Sequence, residues 1–331
     1  MTFRVGVTRD LRSADAEPCF GRRAFDVLQA NADIEWEWLS EDPKEVTPEI
    51  AARYDGLHLN LPRVSSASLA RSDCRLKVIA RHGVGFDTVD LHAATARGIV
   101  VTNTPLAVRR PVAVATLTLI FALAGRLFKK HELVQTGRWN ERMNFMGQGL
   151  TGRTLGLLGA GGIGQEILRL ARPFFGRMIA ADPYAEAGTV RELGAEIVAL
   201  DALMREADFV VVCCLLNDET RHLINAEKLA LMKRTAYYIN MGRGPIHDER
   251  ALADTLRANR IAGAGLDVTE REPIEPESPL LGVENVIITP HALCWTDECF
   301  HDIAATALQS IVDVSLGKRP AHVVNPEVYA R

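Results

Sequence analysis

Gly159-Ala160-Gly161-Gly162-Ile163-Gly164 has the G-x-G-x-x-G spacing, directly after the apolar run Leu155–Leu158 and directly before the amphipathic run Gln165–Ala171. Glycines in that setting allow a pyrophosphate to reach bare backbone N–H groups at a helix N-terminus, where the helix dipole favours an anion. The next apolar run, Met178–Ala181, ends at Asp182, 18 residues past Gly164 (182 − 164). That is close to the ~20 expected of an acid that accepts hydrogen bonds from an adenosine ribose. A carboxylate there accepts from a free 2′-OH and repels a 2′-phosphate, so the expected cofactor is NAD rather than NADP.

Four more reactive residues follow three later strand candidates. Arg243 lies in Asn240-Met241-Gly242-Arg243-Gly244 after Ala236–Ile239, Asp267 and Glu272 follow Gly263–Leu266, and His291 closes Thr289-Pro290-His291 after Val286–Ile288. Open α/β sheets bind ligands at the carboxyl ends of their strands. A guanidinium that grips a carboxylate, an imidazole that moves a hydroxyl proton and an acid that fixes its tautomer are what hydride transfer at a hydroxyl-bearing carbon requires.

The elements that must position these groups can be read from the apolar periodicity. Short β-branched runs alternate with longer amphipathic ones, the rhythm of βα units on a parallel sheet. Strands are expected at Phe3–Val7, Leu57–Leu61, Leu76–Ala80 and Ile99–Val101, with helices near Phe25–Ala30 and Thr88–Arg97. One long helical pattern is expected over Pro111–Thr136. A second series of strands then runs Thr154–Leu158, Met178–Ala181, Glu196–Val198, Phe209–Cys213, Ala236–Ile239, Gly263–Leu266 and Val286–Ile288. The fold class is α/β with two Rossmann-like doubly wound parallel sheets, and 331 residues suffice for two cores. A last amphipathic segment, Thr296–Leu316, lies beyond the final strand and is free to return to the first domain.

Lys plus Arg number 38 against 42 for Asp plus Glu, so no summed positive field attracts nucleic acid or an anionic membrane surface. The longest uncharged stretch, Pro111–Gly125, is short for a bilayer span and is bracketed by Arg109, Arg110 and Arg126. The first ten residues lack the apolar core of a signal peptide. The six cysteines form no C-x-x-C pair and are read as reduced, cytoplasmic thiols. Cys294, Cys299 and His301 lack a fourth ligand and the usual spacing, so no metal is expected.

Taken together, these motifs resemble the D-isomer specific 2-hydroxyacid dehydrogenases, over most of the chain. Arg81-His82-Gly83-Val84-Gly85-Phe86-Asp87 resembles that family's carboxylate-binding loop, and Val101-Thr102-Asn103-Thr104-Pro105 its crossover between domains. Asn240–Asp248 resembles its arginine motif, Leu266–Pro273 its acid motif and Thr289–His291 its histidine motif. The resemblance implies that His291 is the general acid/base, Glu272 its partner and Arg243 the ligand of the substrate carboxylate and keto oxygen. Glu270 is a rival to Glu272, which like the family's acid directly precedes a proline. Asp267 is then the acid near the nicotinamide, Val84 and Gly85 offer backbone N–H groups to the substrate carboxylate, and Trp295 is a candidate pocket wall. The substrate domain is expected to be discontinuous, residues 1–102 with 293–331, around an NAD-binding domain of 103–292.

The chain departs from the family at Cys213-Cys214-Leu215, where His-x-Pro is usual, at Val114 in place of a glutamate, and at Thr269 in place of a common phenylalanine. His58 and His82 fall in expected pocket loops without a visible partner. Arg109-Arg110 reads as a solvated helix start. The expected partner is a small 2-hydroxy or 2-keto acid, and a homodimer is expected from the resemblance and from the very apolar Val112–Ala124. The alternative is a co-repressor of the same fold that binds NAD(H) with little turnover. Formate oxidation is disfavoured, because Glu272 stands where that reaction uses glutamine.

Overall fold

A computed structural model describes residues 2–330. They form two units: one comprises the chain up to Val108 together with Trp295 onward, the other Arg109–Cys294. The expected boundaries at 102/103 and 292/293 therefore move to 108/109 and 294/295. The reason is that the crossover helix, Pro105–Gly125, begins within the first unit and runs into the second.

In the first unit, β1 (Phe3–Val7), β2 (Ile34–Trp38), β3 (Gly56–Leu59), β4 (Val78–Arg81) and β5 (Val100–Thr102) form a parallel sheet of order β2-β1-β3-β4-β5. β3 and β4 are buried throughout, as parallel strands covered on both faces should be. Val5, Val7, Val78 and Ala80 pack under Ala304, Leu308 and Ile311 of the helix Asp297–Ser315, so the last amphipathic segment does cover the first sheet. Leu57, Leu59, Ile79 and Val101 form the other face with Ala51 and Leu69. β2 is absent from the strands read in the sequence. It is an edge strand whose alternation, Ile34, Trp36 and Trp38, turns its apolar residues toward the core, where Trp36 stacks on Phe25 at 3.8 Å.

In the second unit, β6 (Thr154–Leu158), β7 (Arg177–Ala181), β8 (Glu196–Ile197), β9 (Phe209–Val212), β10 (Tyr237–Asn240), β11 (Gly263–Leu266) and β12 (Val286–Ile288) form a parallel sheet of order β12-β11-β10-β9-β6-β7-β8. The strand order reverses beside β6. The ends of β6 and β9 therefore flank the crevice in which such sheets bind ligands.

The expected single helix over Pro111–Thr136 is in fact two, Pro105–Gly125 and Leu127–Gln135. Arg126 breaks it, with φ +50° and ψ +44°, a left-handed conformation that cannot continue a right-handed helix. At 21 residues the first helix is long and apolar enough to cross a bilayer. Ala113, Thr116 and Ile120 are nevertheless fully buried, and Leu119 and Leu123 lie so close to Gly265 of β11 that a methyl group there would sit 3.1 Å from Leu123 Cδ1. This is core packing. Arg109 and Arg110 are exposed, as expected, but they lie a turn inside the helix rather than at its start, which is Pro105, where a missing N–H costs nothing.

Candidate active site

β6 runs through the glycine turn into the helix Gly162–Ala171, whose buried Ile167, Leu168 and Ala171 hold it to the sheet. Gly159 has φ +102°, and a Cβ there would fall 2.7 Å from the backbone N of Cys214. A Cβ at Gly164 would strike the Gly159 carbonyl oxygen. Both positions thus require glycine for backbone reasons. The departure at Cys213-Cys214 belongs to the same packing: Cys213 Sγ donates to the Gly159 carbonyl at 3.1 Å, and burial pushes the thiol well above its ordinary pKa. Burial likewise raises Cys214 to about 11. Neither thiol is a nucleophile at neutral pH.

Asp182, at the end of β7, is tied to the same turn. Its Oδ2 accepts from the Ala160 N–H at 2.8 Å and its Oδ1 from the Tyr184 N–H at 2.9 Å, which leaves lone pairs on both oxygens. The Gly162 and Ile163 N–H groups of the first helical turn have no acceptor among the described residues, and nothing lies within 4 Å of where a Cβ of Gly161 would be. Free donors at a helix N-terminus, open space above them and a carboxylate at the next strand end fit a dinucleotide.

The catalytic candidates lie at the ends of the next strands. Asn240, the last residue of β10, shapes the arginine loop: its Nδ2 donates to the Arg243 carbonyl at 2.9 Å, and its Oδ1 accepts from Gly242 N–H at 2.9 Å. Buried His247 closes on the same amide through Nδ1 at 2.9 Å. A Cβ on Gly244 would lie 1.9 Å from the Thr269 carbonyl oxygen, so the arginine loop rests directly on the acid loop.

After β12 the chain turns sharply. His291 has φ +54°, a left-handed conformation that costs a non-glycine residue roughly 1–2 kcal/mol. Asp267, buried at the end of β11, offsets this: its Oδ1 accepts from Thr289 Oγ1 at 2.6 Å, Ala292 N–H at 3.1 Å and Leu293 N–H at 3.2 Å. The held turn brings His291 Nδ1 to 2.8 Å from Glu272 Oε2, while Glu272 Oε1 accepts from the Thr269 N–H at 3.2 Å. The rival, Glu270, points elsewhere. Its Oε1 accepts from the Glu249 N–H at 2.9 Å and lies 3.0 Å from His222 Nε2.

Burial pulls the His291 pKa down, but the hydrogen bond and charge of Glu272 outweigh it. Asp267 adds to the rise, the Arg243 charge opposes it, and the net shift is upward. Nδ1 is engaged by the carboxylate, so Nε2 is the atom available to carry a proton to or from a substrate. A half-exposed imidazole with a tuned pKa, beside a guanidinium that feels its charge, can protonate an oxygen as a carbonyl carbon is reduced.

In the first unit, the loop after β4 is braced from behind. Asn103 Nδ2 donates to the Val84 carbonyl at 2.8 Å, Gly83 N–H to Thr104 Oγ1 at 3.2 Å, and Arg81 Nε to the Gly85 carbonyl at 3.0 Å. The N–H groups of Val84 and Gly85 have no acceptor among the described residues, which leaves them able to bind an anion. Trp295, half exposed, leans on Phe300 at 4.8 Å. His58 and His82 are partners, which their positions 24 residues apart do not signal. They are buried together with Nε2 of His58 3.0 Å from Nδ1 of His82, enclosed by Phe20 and Phe300.

The family model for D-isomer specific 2-hydroxyacid dehydrogenase, NAD binding domain, matches residues 117–292. A glyoxylate reductase of Korarchaeum cryptofilum is 37% identical over 99% of this chain and 97% of its own length. One from Aeropyrum pernix is 38% identical over 92% of this chain and 93% of its own. Among solved structures, the TT0316 protein of Thermus thermophilus superposes with a TM-score of 0.83 at 33% identity, covering 97% of this chain and all of that one.

Proposed function

The chain belongs to the D-isomer specific 2-hydroxyacid dehydrogenase family and its cofactor is NAD; from that premise we propose that it reduces a small 2-keto acid to the D-2-hydroxy acid, with glyoxylate the foremost candidate substrate. The observation that carries the reading is the 2.8 Å His291–Glu272 hydrogen bond in a turn held by Asp267. NADH, when bound, supplies the hydride. His291 as imidazolium gives its Nε2 proton to the keto oxygen, and in oxidation the neutral ring takes that proton back. Glu272 holds the ring in orientation and stabilises the imidazolium. Arg243 binds the substrate carboxylate and polarises the keto oxygen. The N–H groups of Val84 and Gly85 bind the carboxylate, and Trp295 limits the size of the substrate's R group. Gly159, Gly161, Gly162, Ile163 and Gly164 hold the pyrophosphate and Asp182 the adenosine ribose. Asp267 orders the histidine turn close to the nicotinamide.

The enzyme is a cytoplasmic homodimer in this reading. Leu127, Phe128, Trp139, Met143 and Met146 each keep more than half of their surface exposed within one short segment, which is apolar area that a second subunit would cover. The test is NADH consumption with glyoxylate, hydroxypyruvate, pyruvate, longer and branched 2-keto acids and 3-phosphohydroxypyruvate. His291→Ala should abolish most turnover on the best substrate while NADH binding persists. Near-full activity in that variant would remove the acid/base assignment.

A further inference from the structure

The crossover helix places a cation where electrostatics should reject one. Arg109 comes from its first half, and its guanidinium fills the space where Gly162 lacks a side chain: a Cβ on Gly162 would lie 2.5 Å from Arg109 Nε and 2.9 Å from Cζ. Gly162 is the first residue of the ten-residue helix Gly162–Ala171, so the guanidinium sits at that helix's positive end. Among the described residues it has neither a hydrogen-bond acceptor nor a carboxylate partner. Its neighbour Arg110 differs. That side chain is paired with Glu166 of the same helix at 3.0 Å, and Glu166 is shared with Arg169. The acid nearest in sequence to the helix start is thus already occupied by other cations.

Two positive groups in contact, with the free N–H groups of Gly162 and Ile163 beside them, lower each other's energy only when an anion lies between them. We propose that Arg109 is a pyrophosphate ligand of NAD, a charged arm that reaches the glycine turn from the crossover helix and serves where the turn itself offers only backbone. The Arg110–Glu166 pair pins the crossover helix against the nucleotide helix and so sets the arm's reach.

The test uses the intact enzyme and two competitors of NADH binding, ADP-ribose, which carries the pyrophosphate, and adenosine, which does not. Arg109→Gln should weaken ADP-ribose and NADH by roughly five- to tenfold, the scale of an exposed charge-assisted hydrogen bond, and leave adenosine within about twofold. Arg109→Lys, which keeps the charge, should recover most of the loss. Added KCl should weaken ADP-ribose less in Arg109→Gln than in the wild type, since one ionic contact is gone. The proposal fails if Arg109→Gln leaves ADP-ribose unaffected, or if it weakens adenosine and ADP-ribose alike, which would mark a role in holding the turn. It also fails if the lysine variant is as weak as the glutamine one. No keto acid enters the experiment, so its outcome is independent of the substrate assignment.

Discussion

Replacing Glu272 with Gln keeps the shape and hydrogen-bonding reach of the side chain but removes the charge behind His291. A hydrogen bond between ionised partners contributes about 1.5–3 kcal/mol. Side-chain exposures of 43% for His291 and 40% for Glu272 call for a substantial discount, to about 1 kcal/mol of lost preference for the imidazolium. That is roughly a fivefold change in the protonation equilibrium. The sign follows from the direction of the shift. His291 is held above an ordinary histidine, reduction needs it charged, and kcat/KM for keto acid reduction is therefore high below its pKa and falls as pH rises through it. In Glu272→Gln the fall should begin at lower pH, and the rise of the oxidation rate with pH should move the same way. Paired pH profiles of kcat/KM in both directions, at saturating NADH or NAD, measure this. An unchanged profile in the Gln variant, or one displaced to higher pH, would refute the assignment of Glu272 as the group that tunes His291.

Asp182→Ser should narrow the kcat/KM preference for NADH over NADPH by roughly tenfold or more, because a like-charge contact with the 2′-phosphate is removed; it should also weaken NADH, since the carboxylate orders the Ala160 N–H. A wild-type enzyme that used NADPH as well as NADH would contradict this reading of Asp182. Light scattering should give about twice the chain mass of 36.3 kDa, and Trp139→Glu should move it toward the single-chain value, because a charge in a covered apolar face goes unpaired. The His58–His82 pair should make the protein acid-sensitive. Burial, reinforced by the Arg81 charge, pushes His58 down to about 3 and holds His82 well below an ordinary histidine, so the unfolded chain takes up protons near pH 6.5 that the folded chain refuses. Stability is full above pH 6.5 and is lost as pH falls, by about 1.4 kcal/mol per pH unit for each histidine. Urea titrations between pH 7 and 4.5 should show this slope reduced in His58→Leu; an unchanged slope would mean the pair is not the titrating group.

What could be read from the sequence alone were features whose cause is local. The glycine turn of residues 159–164 was legible because φ of +102° at Gly159 and the lack of a Cβ at Gly164 are demands of the backbone on itself. The strands β6 and β11 were legible because a parallel strand covered on both faces must be a short unbroken apolar run, bounded by polar residues. The order of Arg243, Glu272 and His291 was legible because each lies just beyond such a run. Edge strand β2 and the break at Arg126 escaped the reading. The first shows only a two-residue alternation, and the second is a backbone reversal at a residue type that rarely makes one.

Tertiary structure alone decided which groups meet. Glu270 and Glu272 are chemically identical and two residues apart, and only the path of the chain after β11 turns one toward His222 and the other toward His291. Asp267 holds the histidine turn, 24 residues away (291 − 267), because parallel β11 and β12 end side by side. Arg109 and Gly162, 53 positions apart (162 − 109), touch because the crossover helix crosses the start of the nucleotide helix. The physical reason is common to all three. Backbone conformation and burial periodicity are set by interactions within a few residues along the chain, whereas a side chain's partner is set by whichever surfaces the packed core brings within about 3 Å.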